Sequence, residues 1–275
     1  MGVLPKVNGE CKKALEDAVD QDLRDAGKPF SVWTCLDLAK HLVEKGFELV
    51  SDETIRRALH RLDFRVLRPV LSINSPDEQY ETKAAHLKEC QQLARDGKMI
   101  LLYEDEIDLN LLPGIIRCWS RRGSQRKILT PGQNVKRYGF GAVNFMTGRL
   151  TYHVGEHKNS DGFMALFEQI VAQYCPGDTY SGPKIGLVVD NYIIHRSKKT
   201  QAILDKYADR IEIVPLPTYS PKLNIIELLW KYLRRKVTHN HLFVSIEKLL
   251  DAALEFLKSL NEKPAEVLSV IGYSE

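Results

Sequence analysis

Lys184-Ile-Gly-Leu-Val-Val-Asp190 is the stretch that decides how this chain folds. It is a short apolar run, rich in β-branched residues, that ends in a carboxylate: the pattern of a strand buried on both faces. Asn191 and His195 follow closely. After a helix-like span and a second short run, Ile211-Glu-Ile-Val-Pro215, comes Pro217-Thr-Tyr-Ser-Pro-Lys-Leu-Asn-Ile-Ile-Glu227-Leu-Leu-Trp230, where a loop gives way to a helix. On that helix Leu223, Ile226, Leu229, Trp230, Leu233 and Val237 recur at three- and four-residue spacings and make one apolar stripe. Glu227 stands on the edge of the stripe, next to Arg234, and can lean over the end of a sheet. Ligands of open α/β sheets collect at the carboxyl ends of the strands, so Asp190 and Glu227 can converge there.

A third acid strengthens this reading. Met99-Ile-Leu-Leu-Tyr-Glu104-Asp105-Glu106 is another buried-strand pattern that ends in carboxylates. Alternation along a strand puts Glu104 and Glu106 on the face opposite Asp105. Two strand-end aspartates and a helix glutamate are the donors that a two-metal phosphoryl-transfer site needs. Mg²⁺ is a hard ion that takes oxygen ligands and keeps some of its waters. With two ions about 3.5–4 Å apart, one activates the attacking oxygen and the other stabilises the leaving oxygen.

Tyr-Glu-Asp105-Glu106, Val-Asp190-Asn191-Tyr-Ile-Ile-His195 and Tyr219-Ser-Pro221-Lys-Leu-Asn224-Ile-Ile-Glu227-Leu-Leu-Trp230 together resemble the three signatures of DDE transposases in the bacterial insertion-sequence branch of the mariner superfamily. The resemblance implies metal ligands at Asp105, Asp190 and Glu227, with two Mg²⁺ or Mn²⁺ ions as cofactors. It implies double-stranded DNA, both transposon ends and target, as partner, and a homodimer on that DNA. The chain departs from the pattern at Ile225, where the family often has Pro; this loosens the loop and removes no ligand. Asn191, His195 and Asn224 are the expected supporting residues.

Taken singly, these residues have plainer readings. A strand-end Asp is most often a turn or helix cap, a lone His is more often structural than a base, Asn191 can cap or orient Asp190, and Trp230 reads as core. The three acids in this order favour an enzyme over a catalytically idle, transposase-derived DNA-binding protein. A ribonuclease H-like nuclease without strand transfer is the other alternative, against which the N-terminal region argues.

The 275 residues allow one large domain or two modest ones. With 39 basic and 36 acidic residues the net charge is only +3, so its distribution matters more than its sum. No apolar run is long enough to span a membrane and the start lacks a signal-peptide pattern, which predicts a soluble, cytoplasmic protein, nucleoid-associated if bacterial. Cys11, Cys35, Cys90, Cys118 and Cys175 are widely spaced with no CxxC pair, so reduced thiols are expected rather than a disulfide framework or zinc finger.

Residues 1–68 read as a small all-α helix-turn-helix domain: a helix from Glu10 to Ala26, a second from Thr34 to about Gly46, and a third N-capped by Ser51. Ile55, Ala58, Leu59 and Leu62 make the buried face of the third helix, leaving Arg56, Arg57, Arg61 and then Arg65 for phosphates and guanine edges. The opposing consideration is charge, since this segment carries 12 basic and 12 acidic residues. Family members commonly carry two helix-turn-helix units, and this chain has room for one and a partial helix, which predicts an N-terminally shortened domain.

Residues 69–97 read as a linker followed by a polar spacer helix, and 98–275 as the catalytic domain with a C-terminal helix from Val244 to Leu260, broken by Pro264. Ile115 to Trp119, Arg137 to Phe145 and Arg149 to Val154 suggest antiparallel strands after the Asp105 strand. Element order alone indicates a mixed α/β domain; the family resemblance implies the ribonuclease H-like form of it. Between Leu109 and Gly155 stand Arg117, Arg121, Arg122, Arg126, Lys127, Lys136, Arg137 and Arg149, without one acid. Positive charge concentrated beside a carboxylate cluster suits a polyanion laid across it. Trp119-Ser-Arg-Arg-Gly123 also resembles a family segment.

Overall fold

A computed structural model describes residues 7–273 except 22, 24–26, 28–31, 68–74, 117, 125, 129, 131 and 178. The chain divides into two compact units, Met1–Ser72 and Ile73–Glu275.

In the first unit three helices form where a polar cap precedes an amphipathic run: α1 (Gly9–Asp20), α2 (Cys35–Glu44) and α3 (Asp52–Arg61). Asn8, Thr34 and Ser51 accept the backbone N–H of Cys11, Asp37 and Thr54 respectively, each satisfying a donor that the first helical turn leaves open. Leu15, Leu38, Leu42 and Ile55 meet in the core of this unit. The turn between α2 and α3 passes through Gly46 at φ +90°, the left-handed conformation in which helices commonly end at glycine. Helix α1 ends sooner than its sequence pattern suggests, with Gln21 already extended. Asp17 and Asp20 lie at its end with no basic side chain in the last turn, an arrangement the helix dipole disfavours. Residues 24–26 of the expected helix lie outside the described residues.

The second unit is built on a five-stranded sheet, β1 (Met99–Asn110), β2 (Lys136–Asn144), β3 (Leu150–Gly155), β4 (Lys184–Val189) and β5 (Ile211–Pro215), in the order β3-β2-β1-β4-β5. The first three are antiparallel, and β4 and β5 run parallel to β1. Period-two alternation sends the side chains of β1 to two separate cores. Leu101, Tyr103 and Ile107 pack with α4 (Tyr80–Arg95), α7 (Ile226–Leu233), α8 (Ile246–Asn261) and α9 (Pro264–Val270). Leu102 packs on the other face with α5 (Ser160–Tyr174) and α6 (Lys198–Lys206).

Two sequence expectations change. The described residues of the 115–119 segment (115, 116, 118 and 119) are not in a strand: Gly114 makes one isolated bridge to His239, and Trp119 is 98% exposed. Strand β1 has β2 on one edge and β4 on the other, so this segment cannot pair with β1. The helix read as a spacer is part of the second unit's core, because α4 buries Leu87, Cys90 and Ala94 there and Gln91 donates to the Tyr103 hydroxyl at 2.7 Å. Among the described residues no helix is long and apolar enough to cross a membrane.

Candidate active site

Strands β1 and β4 pair in parallel as far as Tyr103 opposite Val188, and two residues further along each chain stand Asp105 and Asp190. Asp190 therefore follows the end of β4 beside Asp105, which lies within β1, since that strand runs on to Asn110 instead of ending at the carboxylates. Asp105 alternates in phase with Leu101, Tyr103 and Ile107, so it faces the α7 side. Across the antiparallel pair, Asp105 is matched with Gly141 of β2. A Cβ at Gly141 would lie 2.5 Å from Cη2 of Trp230, so the missing side chain is what lets α7 press its indole onto the sheet. Asn224, just ahead of α7, donates from Nδ2 to the carbonyl oxygen of Glu104 at 2.9 Å. Glu227, the second residue of α7, is thereby brought with Asp105 and Asp190 around one cavity of about 410 Å³, also lined by Asn191 and Asn224.

The flanking acids point the other way, as alternation requires. Glu104 and Glu106 are 1% and 6% exposed and converge on His195. The His195 Nε2 is 3.6 Å from Glu104 Oε2, 3.9 Å from Glu106 Oε1 and 3.4 Å from Asp190 Oδ1, and its ring packs edge-on against Phe163. Lys158 Nζ lies 3.4 Å from Glu106 Oε2. Asp190 thus belongs to both arrangements: it lines the cavity, and its Oδ1 also accepts the Tyr192 N–H at 2.8 Å.

Burial and like charge dominate the electrostatics. Burial, then the Glu106, Glu227 and Asp190 carboxylates, pushes the Asp105 carboxyl up to about 8. Glu104 is driven well above the usual carboxylate range, first by burial and then by Glu106 and Asp105. Burial also raises Glu106, against the opposing pull of Lys158 and His195. Asp190 goes the other way: burial would raise it, but His195, the Tyr192 N–H and Lys158 together hold it below its ordinary value.

Two groups here have the chemistry of metal ligands. Among the described residues the tightest is Glu104, Glu106 and His195, whose donor atoms lie within 4.8 Å of one another. We favour the other group, Asp105, Asp190 and Glu227. The tight group is buried and already has the Lys158 ammonium as counter-charge, whereas the three acids share an open cavity and none of the described residues lining it is basic. Lys231 lies 3.9 Å from Glu227 and His195 3.4 Å from Asp190, both from outside the cavity, and the all-oxygen donor set that faces the cavity fits a hard divalent ion that keeps water and binds phosphate.

The expected supporting residues are also accounted for. Asn191 donates from Nδ2 to the Leu216 carbonyl and to Thr218 Oγ1, both at 3.0 Å, and accepts from Arg196 at 2.6 Å, so it braces the end of β4 against the loop after β5. Ile225 has φ −65°, a value proline would share. Arg56 and Arg57 both bind Glu53, at 2.7 and 2.8 Å, and hold its carboxyl down to about 2. Arg65 pairs with Asp63, and Arg61 is exposed. Arg121, Arg122, Arg126 and Lys136 are exposed on the second unit, while Arg117 lies outside the described residues. Sequence reasoning missed Lys158, which sits in a loop ahead of α5 and carries no motif, and it quoted Tyr219 within the third signature without its positive φ, which no local pattern announces.

A sheet of this order with acids within β1, just past the end of β4 and at the start of α7 defines the ribonuclease H-like class of phosphoryl-transfer domains. Comparison with known proteins makes the family explicit. The family model described as DDE superfamily endonuclease matches residues 100–250. A protein of Shigella sonnei named "Insertion element IS630 uncharacterized 39 kDa protein" is 34% identical over 254 residues, covering 91% of this chain and 71% of its own length. The chain belongs to the DDE superfamily endonucleases. The fold is also that of the Mos1 mariner transposase in its paired-end complex with Mn (TM-score 0.63, 16% identity, 100% of this chain and 82% of that one) and in its strand transfer complex (TM-score 0.61, 16% identity, 100% and 82%).

Proposed function

We propose that this endonuclease is the transposase of a bacterial insertion element, which cuts DNA at the element's ends and joins the freed end to target DNA. The observation that carries the reading is the meeting of Asp105, Asp190 and Glu227 around one open cavity beside the end of β4. These three carboxylates would hold divalent cations, Mg²⁺ or Mn²⁺, two in number; solved Mos1 complexes are named with each metal. Such ions supply an activated attacking oxygen and charge compensation for the leaving one.

The chain's own residues do the positioning. Asp190 is held by the Tyr192 N–H and His195, Glu227 by the helix that Asn224 fastens to β1, and Asp105 by pairing within the sheet. In the first step water oxygen bonds to the scissile phosphorus and the P–O3′ bond breaks, leaving a 3′ hydroxyl and a 5′ phosphate. In the second step that hydroxyl attacks a target phosphorus, another P–O3′ bond breaks, and the number of phosphodiester bonds is unchanged. No external energy source is needed for joining.

Arg56, Arg57, Arg61 and Arg65 would read and grip the element end, and Arg117, Arg121, Arg122, Arg126 and Lys136 would carry DNA past the carboxylates. Two ends joined together call for two copies of the chain, acting on the nucleoid in the cytoplasm. The test is incubation with Mg²⁺ and DNA carrying candidate element ends, read for nicking and joining. Asp190→Asn is expected to abolish both while fold and DNA binding persist. Cleavage retained in that variant would overturn the ligand assignment.

A further inference from the structure

The face of β1 turned away from the cavity carries a second, closed group of donors. Glu104 and Glu106 alternate in phase with Leu102, so both enter the core that holds Phe140 and Phe163. His195 reaches them from the short turn Ile193–Arg196 that follows β4. That turn is fixed from behind, because Thr200 Oγ1 donates to the Ile194 carbonyl at 2.6 Å and the Phe163 ring lies edge-on to the imidazole, centroids 4.7 Å apart. His195 is only 7% exposed.

Ordinary pairing does not account for these side chains. Among the described residues no hydrogen bond reaches either oxygen of Glu104 or Glu106, or either ring nitrogen of His195, although all of these atoms are buried. Buried charges are as a rule paired or bound to metal. Lys158 Nζ, 3.4 Å from Glu106 Oε2, offsets one carboxylate. Counting Asp190, three carboxylates surround the imidazole against that one ammonium, and a divalent ion would close the difference.

The spacing is that of ligands around a shared centre. His195 Nε2 stands 3.4 Å from Asp190 Oδ1, 3.6 Å from Glu104 Oε2 and 3.9 Å from Glu106 Oε1, long for hydrogen bonds. Two ligands about 2.1 Å from one ion at a tetrahedral angle are roughly 3.4 Å apart, so modest side-chain rotation closes the group. We propose that Glu104, Glu106 and His195 form a second metal site, separate from the cavity, that takes a divalent ion of the first transition row, Mn²⁺ or Zn²⁺. Imidazole suits such ions, whereas Mg²⁺ takes oxygen ligands. The ion fastens the turn after β4 to β1 and so holds Asp190 from the rear. Its donors are buried, so it enters as the chain folds and leaves slowly. This site goes beyond the transposase reading and does not depend on it.

The test uses the full chain without DNA, so its outcome is independent of cleavage. The chain is refolded with Mn²⁺, treated with a chelator to strip the open cavity, and assayed for bound metal and, by pulsed electron paramagnetic resonance, for coupling of Mn²⁺ to nitrogen. The cavity acids offer only oxygen, so a directly bound nitrogen marks the buried site. A single Mn²⁺ should survive in the wild type, with a coupling that changes when the histidines are isotopically labelled. It should survive equally in the Asp105→Asn, Glu227→Gln double variant, whose cavity has lost two acids. Glu104→Gln, with its fold checked by circular dichroism, should bind it roughly tenfold or more weakly, since loss of even an outer-shell partner costs that much. The wild-type measurement needs no substitution and decides the matter if a variant fails to fold. The inference is overturned if the chelated wild type keeps no ion, if the retained ion shows no nitrogen coupling, if the folded double variant loses it, or if folded Glu104→Gln keeps it in full.

Discussion

Asn224 and Glu104 lie 120 positions apart in the chain, yet the Asn224 side chain donates a 2.9 Å hydrogen bond to the Glu104 carbonyl. That bond fastens the loop carrying Glu227 to the strand carrying Asp105. Asn224 is 4% exposed, so its removal leaves a buried carbonyl without a partner. Asn224→Ala should cost about 1–3 kcal/mol in urea unfolding and lower cleavage more than DNA binding. Unchanged stability and rate would show that α7 is held by its apolar stripe alone.

Gly141 governs the same helix from the opposite side. Gly141→Ala forces a methyl to within 2.5 Å of Trp230 Cη2. The expected loss is about 1–3 kcal/mol from overpacking, with a fall in cleavage as Glu227 is displaced. Trp230→Phe in the same chain should recover part of the loss, because the two substitutions act on the same pair of side chains. Denaturation of the single and double variants checks both expectations.

The Asp105 carboxyl is raised to about 8, which has a definite sign for stability. Its folded value exceeds its unfolded value, so between roughly pH 4 and pH 8 the folded chain binds the extra proton. Metal-free stability should therefore fall as pH rises through this window. Asp105→Asn removes the effect and should be more stable than the wild type at pH 8, with the two converging near pH 4. A tenfold change in proton affinity is worth about 1.4 kcal/mol; water at the cavity mouth screens part of the shift, and a gain of at least about 1 kcal/mol is expected. Thermal melts of both chains in chelator across this pH range are the measurement.

Metal affinity should follow the same proton. Binding at Asp105 displaces it, so Mn²⁺ affinity, measured by calorimetry, is expected to climb with pH and level off near pH 8. A flat profile would place the ion away from Asp105.

In the first unit, Arg57→Ala with Arg61→Ala should weaken DNA binding and lower the salt slope by about one for each phosphate that the truncated side chains no longer neutralise. Cleavage at saturating DNA should be unaffected. An unchanged slope would make α3 a scaffold and leave Arg121, Arg122, Arg126 and Lys136 as the main DNA surface.

The chain's periodicity was enough to locate β4 and β5, the start of β1, the apolar stripe of α7, and the caps of α2 and α3, but not that β1 runs past Asp105 to Asn110. These features are local: burial on one face or two leaves its period in the residues themselves. The same alternation, by itself, sets Asp105 on one face of β1 and Glu104 and Glu106 on the other. What the pattern could not contain is pairing. Ile115-Ile-Arg-Cys-Trp119 has a strand's composition, but β2 and β4 occupy both edges of β1, and which segment takes an edge is settled by competition across the whole sheet. Likewise α4 reads as a polar spacer, since only Leu87, Cys90 and Ala94 are fully buried on it, and only the sheet decides that this narrow stripe has a core to meet. Lys158, His195, Glu104 and Glu106 gather from three elements, and Tyr219 takes its left-handed turn because Ser75, Asp77 and Asn191 hold Thr218 beside it. Such contacts depend on groups far apart in the chain, so they exist only once burial has brought the strands together.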